Sequence, residues 1–261
     1  MSQQIDLTGR HALITGASSG LGAHLARTLA KAGAAVTLTA RRLEPMAEMA
    51  KDMASQGLKA QAIGLDVTDK AAIAPAFAKA SVAFGIPDIL LNNAGIAVTA
   101  PALEQSEADW DRVMDTNLKA VFFMAQAFAR SLKDATDTGE RVGGAIINTA
   151  SITGLQAATH IPAYAVAKAG VVHLTKCLAA EWARYNIRVN AIAPGYIETD
   201  INRDFLQSAQ GEKLINKIPQ RRVGAPSDLD GLVLLLASHT AGGFMTGGVY
   251  TVDGGHTAQP L

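Results

Sequence analysis

The stretch Thr15-Gly16-Ala17-Ser18-Ser19-Gly20-Leu21-Gly22 decides how this chain is read. It follows the apolar run His11–Thr15, which reads as a buried strand. It opens a helical pattern, Gly20–Lys31, in which Leu21, Leu25 and Leu29 recur every four residues on one face. Glycines between a strand and a helix permit a tight turn and let backbone approach a pyrophosphate. The helix N-terminus behind them offers free N–H groups to the phosphates. No Gly-Lys-Ser/Thr follows, so this is not a Walker phosphate loop. The bland alternative is a plain strand–helix turn.

The same alternation continues outward from this loop. Gly33 stops the first helix. Ala35–Ala40, Ala60–Leu65, Asp88–Leu91, Ala145–Thr149, Ile187–Ala193 and Val249–Val252 read as strands. Helical patterns fall between them: Leu43–Ser55 with Pro45 in its first turn, Asp69 as a cap with a helix to about Phe84, about Ser106 to Ser131, Ala163–Arg184, and Pro226–Ser238. Lys133–Gly144 is polar and turn-rich and reads as a surface loop. No linker, repeat or low-complexity tract interrupts residues 1–261. The pattern predicts an α/β, single-domain, doubly wound parallel sheet of Rossmann type with helices on both faces. Such sheets bind ligands beyond the carboxyl ends of their strands, where the connections diverge.

Composition narrows the function classes. The chain has 261 residues, 49% of them apolar, with 23 basic against 23 acidic side chains. A balanced charge argues against an electrostatic nucleic-acid binder. A single cysteine, Cys177, excludes an internal disulfide framework and a Cys-cluster zinc site; in its apolar helix it reads as core. The histidines show no ligand spacing, so no metal is expected. No apolar run approaches a membrane span, and Met1–Asp6 lacks the marks of a secretory signal. A cytoplasmic protein is the expectation.

The spacing T-G-x-x-x-G-x-G, with Asn92-Asn93-Ala94-Gly95, the set Ser151/Tyr164/Lys168, and Pro194-Gly195 with Thr199, resembles the short-chain dehydrogenase/reductase family from Leu7 to Gly255. The resemblance implies a dinucleotide on Gly16, Ser18, Ser19, Gly20, Leu21 and Gly22. Asp66 and Val67 would receive the adenine, and Asn93, Ala94 and Gly95 would pass beneath the adenosine ribose. Pro194, Gly195, Ile197 and Thr199 would border the nicotinamide; Thr199 could equally cap a helix. NAD-specific relatives carry an acid at the end of the second strand. Here Ala40 stands in that place and Arg41 and Arg42 follow, and guanidinium groups pair well with a 2′-phosphate. NADP(H) is therefore favoured over NAD(H).

Tyr164 and Lys168 lie four apart and share a helix face. Reduction of a ketone develops negative charge on oxygen, which needs donors in place and a proton. Ser151 suits the donor, Tyr164 the proton carrier, and Lys168 the ammonium that favours a phenolate. Asn117 is a poor mid-helix residue. It suggests a kink or a water site that links Lys168 to solvent, which is the role the resemblance implies. The hydride comes from the cofactor, since the chain has no redox group.

The substrate is expected over the nicotinamide, between Ile152–Ile161 and a lid around 196–222. Ile152, Leu155 and Ile161 would form an apolar wall, with Gln156 and His160 as polar accents. Asn190-Ala191-Ile192-Ala193-Pro194-Gly195-Tyr196-Ile197-Glu198-Thr199-Asp200 and Val252-Asp253-Gly254-Gly255 resemble bacterial 3-oxoacyl-(acyl-carrier-protein) reductases. That makes a 3-oxoacyl thioester one expected substrate. The alternatives are an NAD-dependent dehydrogenase of a sugar, polyol, steroid or other secondary alcohol, and a non-catalytic dinucleotide sensor. The family resemblance also implies a homotetramer, or a homodimer, through helices at about 106–131 and 161–185. Val121, Phe122, Met124, Ala125 and Phe128 permit such a face, though the same pattern fits ordinary core.

Overall fold

In the computed structural model, which describes residues 5–137, 143–199 and 203–258, the strand that feeds the glycine loop is β1 (His11–Thr15). It is followed in the chain by β2 (Ala35–Ala40), β3 (Ala60–Gly64), β4 (Ile89–Asn92), β5 (Gly144–Thr149), β6 (Ile187–Pro194) and β7 (Val249–Val252). They form one seven-stranded sheet in the order β3-β2-β1-β4-β5-β6-β7. Every pair is parallel, from Val36 opposite Ala60 at one edge to Ala191 opposite Val249 at the other. Residues of β1, β4, β5 and β6 are buried throughout, as expected of parallel strands covered on both faces.

The covering helices alternate between the two faces. On one lie α1 (Gly20–Lys31), α2 (Glu44–Ser55) and, late in the chain, a helix over Asp230–Ala237. Leu25, Leu29, Met46, Met53, Val233 and Leu236 form this half of the core. On the other face lie α3 (Lys70–Phe84), a short α4 (Glu107–Met114), α5 (Ala120–Asp137) and α6 (Pro162–Trp182), which enclose Phe77, Met124, Phe128, Leu178 and Val189. Two short helices, α7 (Arg203–Leu206) and α8 (Ala209–Ile215), follow β6, and the Asp230–Ala237 helix is α9. Asp69 caps α3 by accepting from the Ala71 N–H at 3.0 Å. No helix among the described residues is long and apolar enough to cross a membrane.

Four expectations need correction. The single helix expected over Ser106–Ser131 is α4 and α5, joined through a π-helical turn at Asp115–Lys119. The chain keeps its helical course to Asp137, into the expected surface loop. Residues 138–142, with Arg141, lie outside the described part. The helix expected over Pro226–Ser238 begins as a 3-10 turn, Pro226–Leu229, before α9. Cys177 is exposed, because α6 turns Val171, Thr175 and Leu178 inward and leaves Cys177 on its outer side. Of the two readings left open for the apolar face of α5, burial favours core: Val121, Met124, Ala125 and Phe128 are enclosed within their own chain. Phe122, the fifth residue of that face, is only part-buried.

Polar groups inside this core are matched to one another. Asn92 Nδ2 donates to Asn148 Oδ1 at 3.0 Å, Asn148 Nδ2 donates to Thr175 Oγ1 at 3.0 Å, and Thr175 Oγ1 donates to the Val171 carbonyl at 2.8 Å. This chain runs from β4 through β5 into α6 and fixes the helix that carries Tyr164 to the strand ends beside it. Low dielectric makes each bond strong and each orphaned partner costly. Asn148→Ala should take one partner each from Asn92 and Thr175, which keep only their bonds to the Val121 and Val171 carbonyls, and lower unfolding free energy by about 1–3 kcal/mol. Chemical denaturation should show a lower midpoint at an unchanged slope; an unchanged midpoint would contradict the role given to this chain of bonds.

Candidate active site

The strand order reverses between β1 and β4. From β1 the connections run outward to β2 and β3, and from β4 they run the other way. The carboxyl ends of these two strands part into a cleft of about 1200 Å³. Gly16, Ser18, Ser19, Gly20, Leu21, Arg41, Arg42, Asp66, Val67, Asn93, Ala94, Gly95, Tyr164, Lys168 and Thr199 all line it. Most of the residues expected to hold a dinucleotide therefore face one space.

The two loops at the switch point are laced together. Thr15 Oγ1 accepts from the Asn93 and Ala94 N–H groups at 2.9 and 3.0 Å. Asn93 Nδ2 donates to the Thr15 and Gly16 carbonyls at 3.2 and 3.3 Å. The approach is too close for a side chain at Gly16 (φ +67°), where a Cβ would stand 2.8 Å from Ala94 Cα. At Gly22 a Cβ would stand 2.3 Å from the Gly16 carbonyl oxygen. Gly22 thus shapes the loop from behind and does not line the cleft. Ser19 precedes α1 without capping it through its side chain, so the first turn presents N–H groups that no cap occupies.

At the opposite side of the cleft the π-helical turn delivers Asn117, fully buried, to the loop after β4. Its Oδ1 accepts from the Ile96 N–H at 2.8 Å, and its Nδ2 donates to the Ile96 carbonyl at 2.7 Å. The helix irregularity expected at Asn117 is present, but the side chain's visible work is to clamp Ile96. A Cβ on Gly95 would lie 3.4 Å from Asn117 Oδ1 and 3.7 Å from Lys168 Nζ, so both groups converge on Gly95.

Lys168 is 3% exposed, and its Nζ donates to the Thr149 carbonyl at 2.6 Å. Burial brings its pKa down from 10.5 to about 8. The same ammonium sits 5.6 Å from the centroid of the Tyr164 ring. Burial pushes Tyr164 up, and the Ser151 hydrogen bond offsets this only in part. Ser151 is buried at the end of β5 and begins a 3-10 turn, Ile152–Gly154.

Several expected residues lie just outside the cleft. Pro194 ends β6 opposite Val252. Gly195 meets β7's end so closely that a Cβ would stand 2.7 Å from Asp253 Cβ. Ile197 pairs with Gly224 and lines a neighbouring cavity of about 380 Å³. Thr199 does reach the glycine loop: its Cγ2 would be 3.8 Å from a Cβ on Gly20. Leu155, Gln156 and His160 are exposed; Gln156 donates to the Thr257 carbonyl at 3.0 Å, and the His160 carbonyl accepts from Ala100 N–H at 2.8 Å. Asp66 is exposed, and its Oδ1 accepts from the N–H and hydroxyl of Thr68, which with nearby Arg41 hold the carboxyl below its ordinary range.

The sequence reading missed Arg112, Asp115 and Thr116, which also line the cleft. Asn117 was the signal that could have found them, since they precede it within the same helical stretch. Thr149 acts on Lys168 through its carbonyl, which no side-chain pattern reveals.

Comparison with known proteins follows the same line. Residues 10–210 match the family model for short chain dehydrogenase. The 2-dehydro-3-deoxy-D-gluconate 5-dehydrogenase of Dickeya dadantii (strain 3937) is 40% identical over 256 residues, covering 97% of this chain and 98% of that protein. Galactitol 2-dehydrogenase of Rhizobium johnstonii is 40% identical over 262 residues, covering 98% of each. A crystal structure of a gluconate 5-dehydrogenase from Burkholderia cenocepacia J2315, in complex with NADP and tartrate, superposes with a TM-score of 0.91 at 38% identity and 98% coverage of both chains. The chain belongs to the short-chain dehydrogenase family. It is an oxidoreductase that moves a hydride between a nicotinamide cofactor and an alcohol or carbonyl group. These relatives are named for sugar acids and polyols, so the likeness to 3-oxoacyl reductases is one of fold and cofactor tracts.

The desolvated ammonium makes a stability prediction. Lys168 titrates lower in the folded chain than in the unfolded one, so its charged form opposes folding fully below pH 8. That opposition fades as pH rises toward 10.5. At pH 7, Lys168→Met should raise unfolding free energy by about 1–2 kcal/mol, the gain of roughly 3 kcal/mol being offset by the lost bond to Thr149. Denaturation across pH should show the parent recovering relative to the variant above pH 8. A destabilised variant with no pH-dependent difference would contradict the burial argument.

Proposed function

We propose that this chain is an NADP(H)-dependent enzyme that interconverts a secondary alcohol and a ketone on a small polyhydroxylated substrate, a sugar acid or polyol. The observation that carries the reading is that Tyr164 and Lys168 line the same cleft as the glycine loop, with Ser151 buried behind them and acting on Tyr164.

The residues present fit a dinucleotide. A cradle closed to any side chain at Gly16 and Gly22, an uncapped helix start and two arginines match a pyrophosphate and a 2′-phosphate. The bound cofactor supplies the hydride. The chain supplies proton and charge control. Ser151 donates to the substrate oxygen. Tyr164 hands its proton to that oxygen in reduction and removes it in oxidation. Burial holds the Tyr164 proton in place, which suits the acid in the reducing direction. Lys168 favours the phenolate that follows proton transfer. Asn117 holds Ile96 and Gly95 against this group, and a water beside the π-helical turn would carry protons to solvent. Asp66 and Val67 would hold the adenine and Asn93 and Ala94 its ribose, and Pro194, Gly195, Ile197 and Thr199 would hold the nicotinamide.

The substrate class rests on the names of the relatives. The Dickeya and Rhizobium enzymes act on hydroxyls of sugar acids or polyols, and the Burkholderia structure holds tartrate beside NADP. We read the chain as one domain with a lid around 196–222, of which 200–202 lie outside the described residues. Association as a homotetramer would use the outer sides of α5 and α6, since their inner sides face the sheet.

Two experiments test this reading. Turnover of NADP(H) is followed against a panel of polyols, sugar acids and an acetoacetyl thioester, with Tyr164→Phe beside the parent. Tyr164→Phe should keep cofactor affinity and lose about 10²–10⁴-fold in kcat. Near-parental turnover would remove the tyrosine from the mechanism, and preference for the thioester would replace the substrate class. Separately, Ala40→Asp with Arg41→Ser should weaken NADP binding by about 10–100-fold, as expected for losing a charged hydrogen bond of about 1.5–3 kcal/mol, while sparing NAD. Equal effects on both cofactors would contradict the assignment of the arginine side.

A further inference from the structure

The turn that follows Ser151 is built more tightly than a connection needs. Gly154 lies flat against α6: a Cβ there would stand 2.7 Å from both the carbonyl carbon and oxygen of Lys168 and 2.9 Å from Ala169 N. The turn is thereby fixed to the backbone of the helix that carries Tyr164 and Lys168. Within it, Ser151 Oγ accepts from the Thr153 N–H at 3.2 Å and from the Thr153 hydroxyl at 3.0 Å. A serine hydroxyl has two lone pairs and one proton. Thr153 engages both lone pairs, so the proton is the only hydrogen-bonding capacity Ser151 retains. Its side chain acts on Tyr164, pulling that phenol down against the effect of burial.

We propose that Thr153 is a positioning residue which turns Ser151 into a dedicated donor aimed at Tyr164 and the substrate oxygen. The inference rests on the reading of Ser151 and Tyr164 given above. A serine free to accept would take the Tyr164 proton into its own lone pair and so hold the phenol neutral. A serine confined to donating favours the phenolate and the alkoxide oxygen, the two species that carry negative charge during the reaction. The backbone N–H of Thr153 alone covers one lone pair; the hydroxyl is needed for the second. This also separates Thr153 from an ordinary turn residue, since valine keeps the backbone, the N–H and the shape.

The test follows tyrosinate absorbance in a pH titration of the full chain with NADP bound, comparing the parent, Thr153→Val, Thr153→Ser and Tyr164→Phe. The step missing from Tyr164→Phe belongs to Tyr164. Thr153→Val should move that step upward by about one pH unit, and Thr153→Ser should leave it in place. On the best substrate of the panel, Thr153→Val should lose about tenfold in kcat, with the ascending limb of the pH profile displaced the same way and KM for NADP unchanged. An unmoved Tyr164 step in Thr153→Val would overturn the proposal, as would equal losses in the valine and serine variants with parental pH profiles. If Tyr164→Phe removes no step, the tyrosine assignment itself fails and the proposal goes with it.

Discussion

A lysine ammonium enclosed within the fold is the constraint on which the rest of this structure turns. Lys168 is 3% exposed and its Nζ has the Thr149 carbonyl 2.6 Å away. An isolated buried charge is too costly to tolerate without arranged partners, and its pKa moves toward neutrality in response. The surroundings are arranged accordingly. β5 ends so that the Thr149 carbonyl meets the ammonium, Gly95 leaves room beside it, and Asn117 braces the loop that carries Gly95. The consequence is a buried cation placed within reach of a phenol, where its effect on a developing oxyanion is larger than that of a solvated charge.

The fold serves this placement through the switch point. A parallel sheet whose order reverses between β1 and β4 must part its loops there, and the parting creates the cleft. Left to themselves two such loops would be mobile. Thr15 and Asn93 bind them to each other by side-chain bonds to backbone, and the absence of side chains at Gly16 and Gly22 lets them approach. The asparagine–threonine chain inside the core then ties β4 and β5 to α6, so cofactor cradle and reacting groups share one frame. Binding energy gained at the nucleotide end can therefore be used at the reacting end, because little reorganisation lies between them.

Much of this was legible in the sequence, and the reasons are specific. Strand positions came from apolar runs that both faces of the sheet demand, and the glycine loop marked the switch point because only small residues fit there. Tyr164 and Lys168 declared themselves by helical spacing, and Asn117 by being a poor helix former in the middle of a helix; the π-helical turn is the physical form of that misfit. What escaped depends on three-dimensional direction. Periodicity cannot say which side of α6 faces inward, so Cys177 was read as core and is exposed. It cannot distinguish core from interface on α5, so both readings stayed open for Val121, Met124 and Phe128, which are buried in their own chain. Nor can it foresee contacts made by backbone, such as Thr149 to Lys168, or a phenol pushed up by burial when the neighbouring charge suggested the reverse. Arg112, Asp115 and Thr116 escaped because the helix before Asn117 was considered only for association, whereas these residues line the cleft.

The measurement that tests the account most directly is the ionisation of Lys168 itself. An NMR pH titration on protein with isotope-labelled lysine, with the Lys168 signal identified by its loss in Lys168→Met, reads the charge where the argument places it. The account predicts a midpoint near 8, separated from the surface lysines. A midpoint at the ordinary 10.5 would show that the ammonium is solvated, and would contradict the claim that the site is organised around a desolvated cation.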